Sequence, residues 1–251
     1  MTALPLLFYG VATFAAGIIN AIAGGGSFLT FPALLLTGLD PRAANITSTI
    51  ALFPNQISTG YAGREFAGGT EHIRFRYLFA ISLVGGAIGA GLLLLTPPAI
   101  FGKLVPWLIL FATGMFAWGS FFKSPEPGKF TLHFGAKGTV ISQAIIAIYG
   151  GYFGGGIGIL MLAALTLAQM PIRKAGATKN ILAAAMNASA VLIFLFSKDI
   201  GWLQVLIGIP ASILGGYAGT QMMHKTDEKK LRMAIIAWGL FLTIALYLDK
   251  A

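Results

Sequence analysis

Apolar residues run along this chain in ten blocks bounded by charged, Pro-containing or Gly-rich turns: 4–23, 27–39, 43–62, 77–95, 103–122, 138–153, 157–169, 180–197, 200–221 and 231–248. Most are long enough to cross a bilayer as helices, at about 20 residues per crossing. Two of them, 27–39 and 157–169, have thirteen residues each. That is about 20 Å of helix, against a hydrocarbon core of about 30 Å. Each short block follows a glycine triplet, Gly24-Gly25-Gly26 or Gly154-Gly155-Gly156. A glycine costs a helix about 1 kcal/mol relative to alanine, so three in succession predict a break.

The triplets also expose an internal repeat. They lie 130 positions apart, and the same offset carries Pro41 to Pro171 and Gly85-Gly86 with Gly89 to Gly215-Gly216 with Gly219. A one-residue slip between those points pairs Ala44 with Ala175 and Thr47 with Thr178. Residues 1–122 and 138–251 therefore read as two copies of one membrane unit. The stretch 123–137, which opens Lys123-Ser124-Pro125-Glu126-Pro127-Gly128, reads as the linker between them. Ala21-Ile22-Ala23 mimics a signal-peptide cleavage site. The first block nevertheless matches 138–153, so it is expected to be part of the fold.

Composition settles the environment. Of 251 residues, 57% are hydrophobic and 10% charged, where a globular protein carries about a quarter charged residues. The mean hydropathy is +0.82. Such a chain lacks the polar surface of a soluble enzyme or a nucleic-acid binder, and the bilayer is its expected partner. The absence of cysteine removes disulfides, thiolate nucleophiles and Cys-based metal centres. The net charge of +9 then reads as topology, because basic loops stay cytoplasmic.

The basic residues also decide what the glycine breaks do. If each break were a kink in one crossing, Lys and Arg would fall eight on one face and nine on the other. If each break is the tip of a hairpin, the loops 63–76, 123–137, 169–180 and 222–232 share one face with thirteen, and Arg42, Lys103, Lys198 and Lys250 make four opposite. The second arrangement has the expected asymmetry. The predicted fold class is therefore an all-α polytopic membrane protein of two inverted repeats, each a glycine-tipped helical hairpin followed by three transmembrane helices. Residues 123–137 would be cytoplasmic and both termini extracytoplasmic. Inverted repeats with broken helices near the midplane are an architecture of secondary transporters.

All eight acidic residues and the three histidines lie in loops or at block ends. A cation site built from buried carboxylates is thereby disfavoured, whereas Na⁺ held by carbonyls and hydroxyls stays open. What the core does contain is donors. Two short helices beginning near the membrane centre expose unpaired N–H groups and a positive dipole end, which suit an anion. The residues that would bind it are Gly24, Gly25, Gly26 and Ser27 at the first tip and Gly154, Gly155 and Gly156 at the second. Asn45, Thr49 and Gln56 on the third block, with Asn180 and Asn187 on the eighth, add side chains. Each has a plainer reading: glycines allow close helix packing, and membrane polar stripes often make interhelical hydrogen bonds. Lys179 reads as a lysine reaching back to the cytoplasmic headgroups. G-x-S-x-G, Walker A, G-x-G-x-x-G and H-E-x-x-H motifs are lacking, and with them any reason to expect an enzyme, an ATP drive, a cofactor or a metal.

Gly17 to Pro41, including Asn20-Ala21-Ile22-Ala23-Gly24-Gly25-Gly26-Ser27, Pro32 and Gly38-Leu39-Asp40-Pro41, resembles the signature of the TauE/SafE sulfite exporter family, also called toluenesulfonate-uptake permeases. The second copy, Gly150-Gly151-Tyr152-Phe153-Gly154-Gly155-Gly156 and on to Met170-Pro171, Ala175, Gly176 and Thr178, resembles it too. The resemblance covers nearly the whole chain. It implies a multi-pass inner-membrane carrier of small sulfur-containing or organic anions such as sulfite or sulfonates, working by alternating access. Ile157 stands where the first copy has Ser27, so the two tips are not expected to contribute hydroxyls equally. A passive anion channel and a non-transporting assembly or sensor subunit remain as alternatives. The coupling ion, H⁺ or Na⁺, and any homo-oligomer are left open by the sequence.

Overall fold

The computed structural model describes residues 3–22, 25–121, 134–222 and 228–248. Gly24, both chain ends and most of the 123–137 linker lie outside them. Among the described residues there are ten α-helices and no strand: α1 (Ala3–Ile22), α2 (Ser27–Leu36), α3 (Pro41–Ala62), α4 (Phe75–Leu95), α5 (Pro98–Phe121), α6 (Ala136–Tyr152), α7 (Ile157–Leu167), α8 (Ile172–Phe194), α9 (Trp202–Met222) and α10 (Glu228–Leu248). A single 3₁₀ turn, Arg64–Phe66, follows α3.

The ten apolar blocks are the ten helices, and their boundaries differ for local reasons. The eighth block was expected from residue 180, yet α8 begins at Ile172. Arg173, Lys174 and Lys179 interrupt the apolar run without interrupting the helix, which starts after an extended Pro171 (ψ 138). Similarly, α3 starts at Pro41, whose missing N–H is no loss in a first turn. Asp40 caps it, its side chain accepting from the N–H groups of Arg42 at 2.9 Å and Ala43 at 3.2 Å. The two short helices are shorter than their blocks, ending at Leu36 and Leu167. Just beyond them stand Gly38 (φ 89) and Gln169 (φ 62), both left-handed.

Five helices, α1, α4, α5, α8 and α9, are long and apolar enough to cross a membrane over eighteen residues or more. With 22 residues α3 is also long enough. Its apolar content is diluted by Asn45, Thr47, Ser48 and Asn55, all of them buried. Meanwhile Leu95, Phe196, Leu206 and Leu214 face outward, exposed. Polar residues inside and aliphatic ones outside are the distribution lipid demands.

The long helices pack in pairs. α1 lies along α9, and α4 along α6. Gly17 sits against the backbone of Ser212, Gly215 and Gly216, while Gly85 and Gly89 sit against Ala147, Ile148 and Tyr152. Both are small-residue contacts that let backbones approach closely. α3 and α8 cross at the centre and run antiparallel: Gln56 meets Asn187, Gly60 meets Asn180 and Ala184, and Gly63 meets Ala177. α5 packs on α10. α2 and α7 hang from α1 and α6, and each also packs on the helix that follows it, α3 or α8.

Candidate functional site

The glycine triplets break their helices through backbone conformation. Gly25 (φ 93), Gly154 (φ 79) and Gly156 (φ 73) are left-handed, a region that costs an L-residue roughly 1–2 kcal/mol. Side chains hold both turns in place. The Gly26 N–H donates to Asn20 Oδ1 at 2.7 Å, tying the start of α2 back to α1. At the other turn, the Tyr149 hydroxyl donates to the Gly155 carbonyl at 2.9 Å. Gly26, not Ser27, is the cap residue of α2, and Ser27 is its first helical residue.

Between the two turns, α3 and α8 border a cavity of about 90 Å³. Gly25, Ser27, Gly154 and Gly156 border it at the tips. Asn45, Thr49 and Gln56 line it from α3, and Asn180 and Asn187 from α8. Nine of the twelve sequence-predicted residues therefore meet in one space. Gly155 borders a smaller, mainly apolar void beside it with Phe28, Phe31 and Ile109. Gly26 is turned against Ala16 and Asn20, and Gly24 falls outside the described residues.

The cavity also takes in Asn20, Ser48, Asn55, Thr59, Gly158 and Lys179. Ser48 is three positions from Asn45 and Thr59 three from Gln56, so helical spacing could have found these two, whereas Asn55 is the immediate neighbour of Gln56 and is not reached by that spacing. Asn20 stands four residues before the first triplet. Lys179 was expected to turn back to the headgroups. In the structure its Nζ stands beside Gly158 and donates to Asn180 Oδ1 at 3.1 Å.

Hydrogen bonds order much of this lining. Gln56 Oε1 accepts from Asn187 Nδ2 at 2.6 Å. Asn45 Nδ2 donates to the Tyr152 carbonyl at 3.0 Å, and the Thr49 hydroxyl donates to the Asn45 carbonyl at 2.9 Å. Ser48 and Thr30 bond through their hydroxyls. The pairing thus takes up the carboxamide oxygens of Gln56 and Asn180 and leaves their NH₂ groups to offer protons. Among the described residues that line the cavity, Lys179 is the charged one and none is a carboxylate. Such a lining presents donors and one cation, a composition complementary to an anion.

The cavity follows α3 from Asn45 to Thr59. It extends to Thr59 and Lys179, toward the face where α3 ends and α8 begins. Toward the other face it stops at Phe153, which packs on Phe31 (ring centroids 6.1 Å apart) and Phe101 (6.5 Å). Beyond that seal Arg42 pairs with Asp199 and donates to the Leu94 and Thr96 carbonyls at 3.2 and 2.9 Å. Related hydrogen bonds fasten both ends: the Gly201 N–H donates to Thr47 Oγ1 and the Gly68 N–H to Thr178 Oγ1, each at 3.0 Å.

Comparison with known proteins agrees with this architecture. A "Probable membrane transporter protein" of Haemophilus influenzae is 30% identical over 243 residues, covering 94% of this chain and 92% of the relative. "Probable membrane transporter protein ORF9" of a Sinorhizobium species is 29% identical, covering 97% and 93%. "Probable membrane transporter protein YfcA" of Escherichia coli K12 is 27% identical, covering 98% and 91%. No solved structure matches the chain. The family description "Sulfite exporter TauE/SafE" matches residues 9–246, nearly the full length. The chain is a membrane transporter and belongs to the TauE/SafE sulfite exporter family.

Proposed function

We propose that this protein is a secondary carrier of small oxyanions, sulfite and sulfonates first among them, and that it works by alternating access in the cytoplasmic membrane. The observation that carries this reading is the cavity itself. Its lining offers amide and hydroxyl groups, two helix N-termini and a lysine, and none of the described residues that line it is a carboxylate. The family description supports sulfite as the first anion to test.

The two halves, 1–122 and 138–251, are read as inverted repeats. The antiparallel course of α3 and α8 and the exchanged pairings α1 with α9 and α6 with α4 support that relation. In this reading the cavity opens to the cytoplasm and Phe153 closes the outer path. A cavity reaching one face favours a carrier over a continuously open channel. The residues that bind substrate are those of the cavity: Ser27 and the tip glycines, with Gln56, Asn180 and Asn187 as side-chain ligands. No chemistry is assigned to the protein beyond transport.

The test is binding followed by transport. Purified protein is screened by thermal shift against sulfite, thiosulfate, sulfonates and carboxylates, with sulfite or a sulfonate expected to stabilise it. Gly158→Leu fills the cavity from a helical position and is expected to remove that shift while keeping the melting profile. In proteoliposomes, internal unlabelled anion is expected to accelerate uptake of the labelled anion, as exchange through a carrier does. An unliganded thermal profile insensitive to every oxyanion would overturn the reading.

A further inference from the structure

The apolar void beside the cavity has a size and a position that packing alone does not explain. It measures about 10 Å³, room for about one water-sized sphere. Its walls are Phe28, Phe31 and Pro32 of α2, Ile109 of α5 and Leu242 of α10, with Gly155 at the second turn contributing no side chain to fill it. Phe28, Phe31, Ile109 and Leu242 are buried, so the void lies in the protein interior. A water there would find few polar partners, and apolar voids of this kind stay dry. Protein interiors are otherwise close-packed, and an empty space costs stability because the atoms around it lose contacts.

Two of the walls are pinned from behind, which keeps the space from collapsing. The Phe28 carbonyl accepts from Trp238 Nε1 at 3.0 Å, and the Phe28 ring meets Phe116 edge-on with centroids 6.4 Å apart. Phe31 is held edge-on to Phe153 at 6.1 Å. The offset of 130 that relates the two triplets sets Ser27 opposite Ile157 and Phe28 opposite Gly158, so the aromatic wall and the hydroxyl beside it belong to the first tip. The void also adjoins the polar cavity, because Ser27, Asn45 and Phe153 line both spaces. A compact oxyanion head lying against Ser27 and Asn45 therefore has next to it a space that suits a single carbon substituent and offers little to a polar one.

From this we infer that the void is a subsite for a methyl group carried by the transported anion, so that oxyanions bearing one methyl, such as methanesulfonate, are preferred over isosteres with a polar group in its place and over anions with longer tails. The inference rests on the anion-carrier reading above and narrows its substrate class. Burying one methyl corresponds to roughly a four-fold gain in affinity. An amino group in the same place would give up its hydrogen bonds to water without replacement, a further loss of roughly ten-fold. A longer tail would have to displace the pinned aromatic walls.

Calorimetric titration of the purified protein tests it with three monoanions that share one head: methanesulfonate, its isostere sulfamate, in which NH₂ replaces CH₃, and propane-1-sulfonate. Wild type is expected to bind methanesulfonate about ten-fold or more tightly than sulfamate, and more tightly than propane-1-sulfonate. This comparison needs no variant, and equal affinity for the two isosteres, or tighter binding of sulfamate, overturns the inference. Leu242→Ala enlarges the void from α10 and is expected to move the optimum to propane-1-sulfonate. Ile109→Ala enlarges it from α5 and is expected to shift the optimum the same way. An optimum that stays at methanesulfonate in both folded variants places the methyl elsewhere and overturns the assignment. Wild type that binds no oxyanion at all refutes the carrier reading and this inference together, whereas equal binding of methanesulfonate and sulfamate refutes this inference alone.

Discussion

Gln56 on α3 and Asn187 on α8 hydrogen bond to each other at 2.6 Å, and they stand 131 positions apart, the offset that pairs Thr47 with Thr178. In the two-copy reading of the chain, equivalent positions of the halves therefore touch where α3 and α8 cross, at the wall of the cavity. A carboxamide pair in that place is neutral and still has protons to offer. Asn187→Asp keeps the volume and lets Gln56 donate to the new carboxylate, but it sets a negative charge beside the ligand. Two like charges about 5 Å apart at an effective dielectric near 20 repel by roughly 3 kcal/mol. Anion affinity should fall roughly a hundred-fold with the fold retained. Titration of the variant together with its thermal melt checks both halves of that statement.

Phe153 closes the cavity on the side opposite its mouth, packed against Phe31 and Phe101. Its counterpart by the 130 offset is Ala23, so an aromatic seal precedes only the second triplet. Phe153→Ala should open a leak from the cavity to the Arg42 face. Proteoliposomes carrying the variant should then show anion flux that no longer depends on exchange with internal substrate. Retention of tight exchange would assign the seal to other residues.

Arg42 and Asp199 make the polar lock outside that seal. The guanidinium joins three elements: the start of α3, the carbonyl end of α4 at Leu94 and Thr96, and the loop before α9. Asp199→Asn removes the charge that holds it and should loosen this face. A cysteine placed at Thr49 should then react faster with an impermeant maleimide added from the Arg42 side than it does beside the native Asp199. Unchanged labelling would mean that the carbonyl contacts of Arg42 suffice to hold the face.

Small-residue packing sets stability where α4 meets α6. A methyl added at Gly89 would collide with the Ile148 carbonyl, while one added at Gly91 would meet nothing within 4 Å. Overpacking of this kind typically costs about 1–3 kcal/mol. Gly89→Ala should accordingly be destabilised by that order. Gly91→Ala should be neutral or more stable by up to about 1 kcal/mol, from helix propensity. Unfolding titrations in mixed detergent micelles compare the two directly.

Much of this was legible in the sequence because a bilayer imposes strict patterns. Length and polarity marked every helix, and the triplets marked both breaks, since a left-handed turn such as that at Gly25 or Gly156 needs glycine. The polar face of α3 was legible through helical spacing, Asn45 to Thr49 to Gln56. Helix starts were not, because Arg173 and Lys174 look like loop residues to a hydropathy reading while they occupy the first turn of α8. The neighbours of Lys179 were not legible either, because they depend on where α8 begins and on its nearness to α7. Phe153 carried no signal at all, as an aromatic in an apolar chain shows its role only through the rings it meets.

Membrane orientation follows from the basic residues and can be tested with little background, because the chain contains no cysteine. Glu71, in the loop after α3, and Lys198, in the loop before α9, are both exposed and sit at opposite ends of the antiparallel pair α3 and α8. In the hairpin arrangement read from the sequence, the loop holding Glu71 belongs to the face with thirteen basic residues, and Lys198 to the face with four. The positive-inside rule places the first in the cytoplasm. An impermeant maleimide applied to intact cells should therefore label Lys198→Cys and leave Glu71→Cys unreacted until the membrane is opened. The reverse pattern would turn the cavity mouth outward and make Phe153 a seal on the cytoplasmic path. Every transport assay above would then have to be read with its two compartments exchanged, while the binding predictions, which depend only on the cavity wall, would stand unaltered.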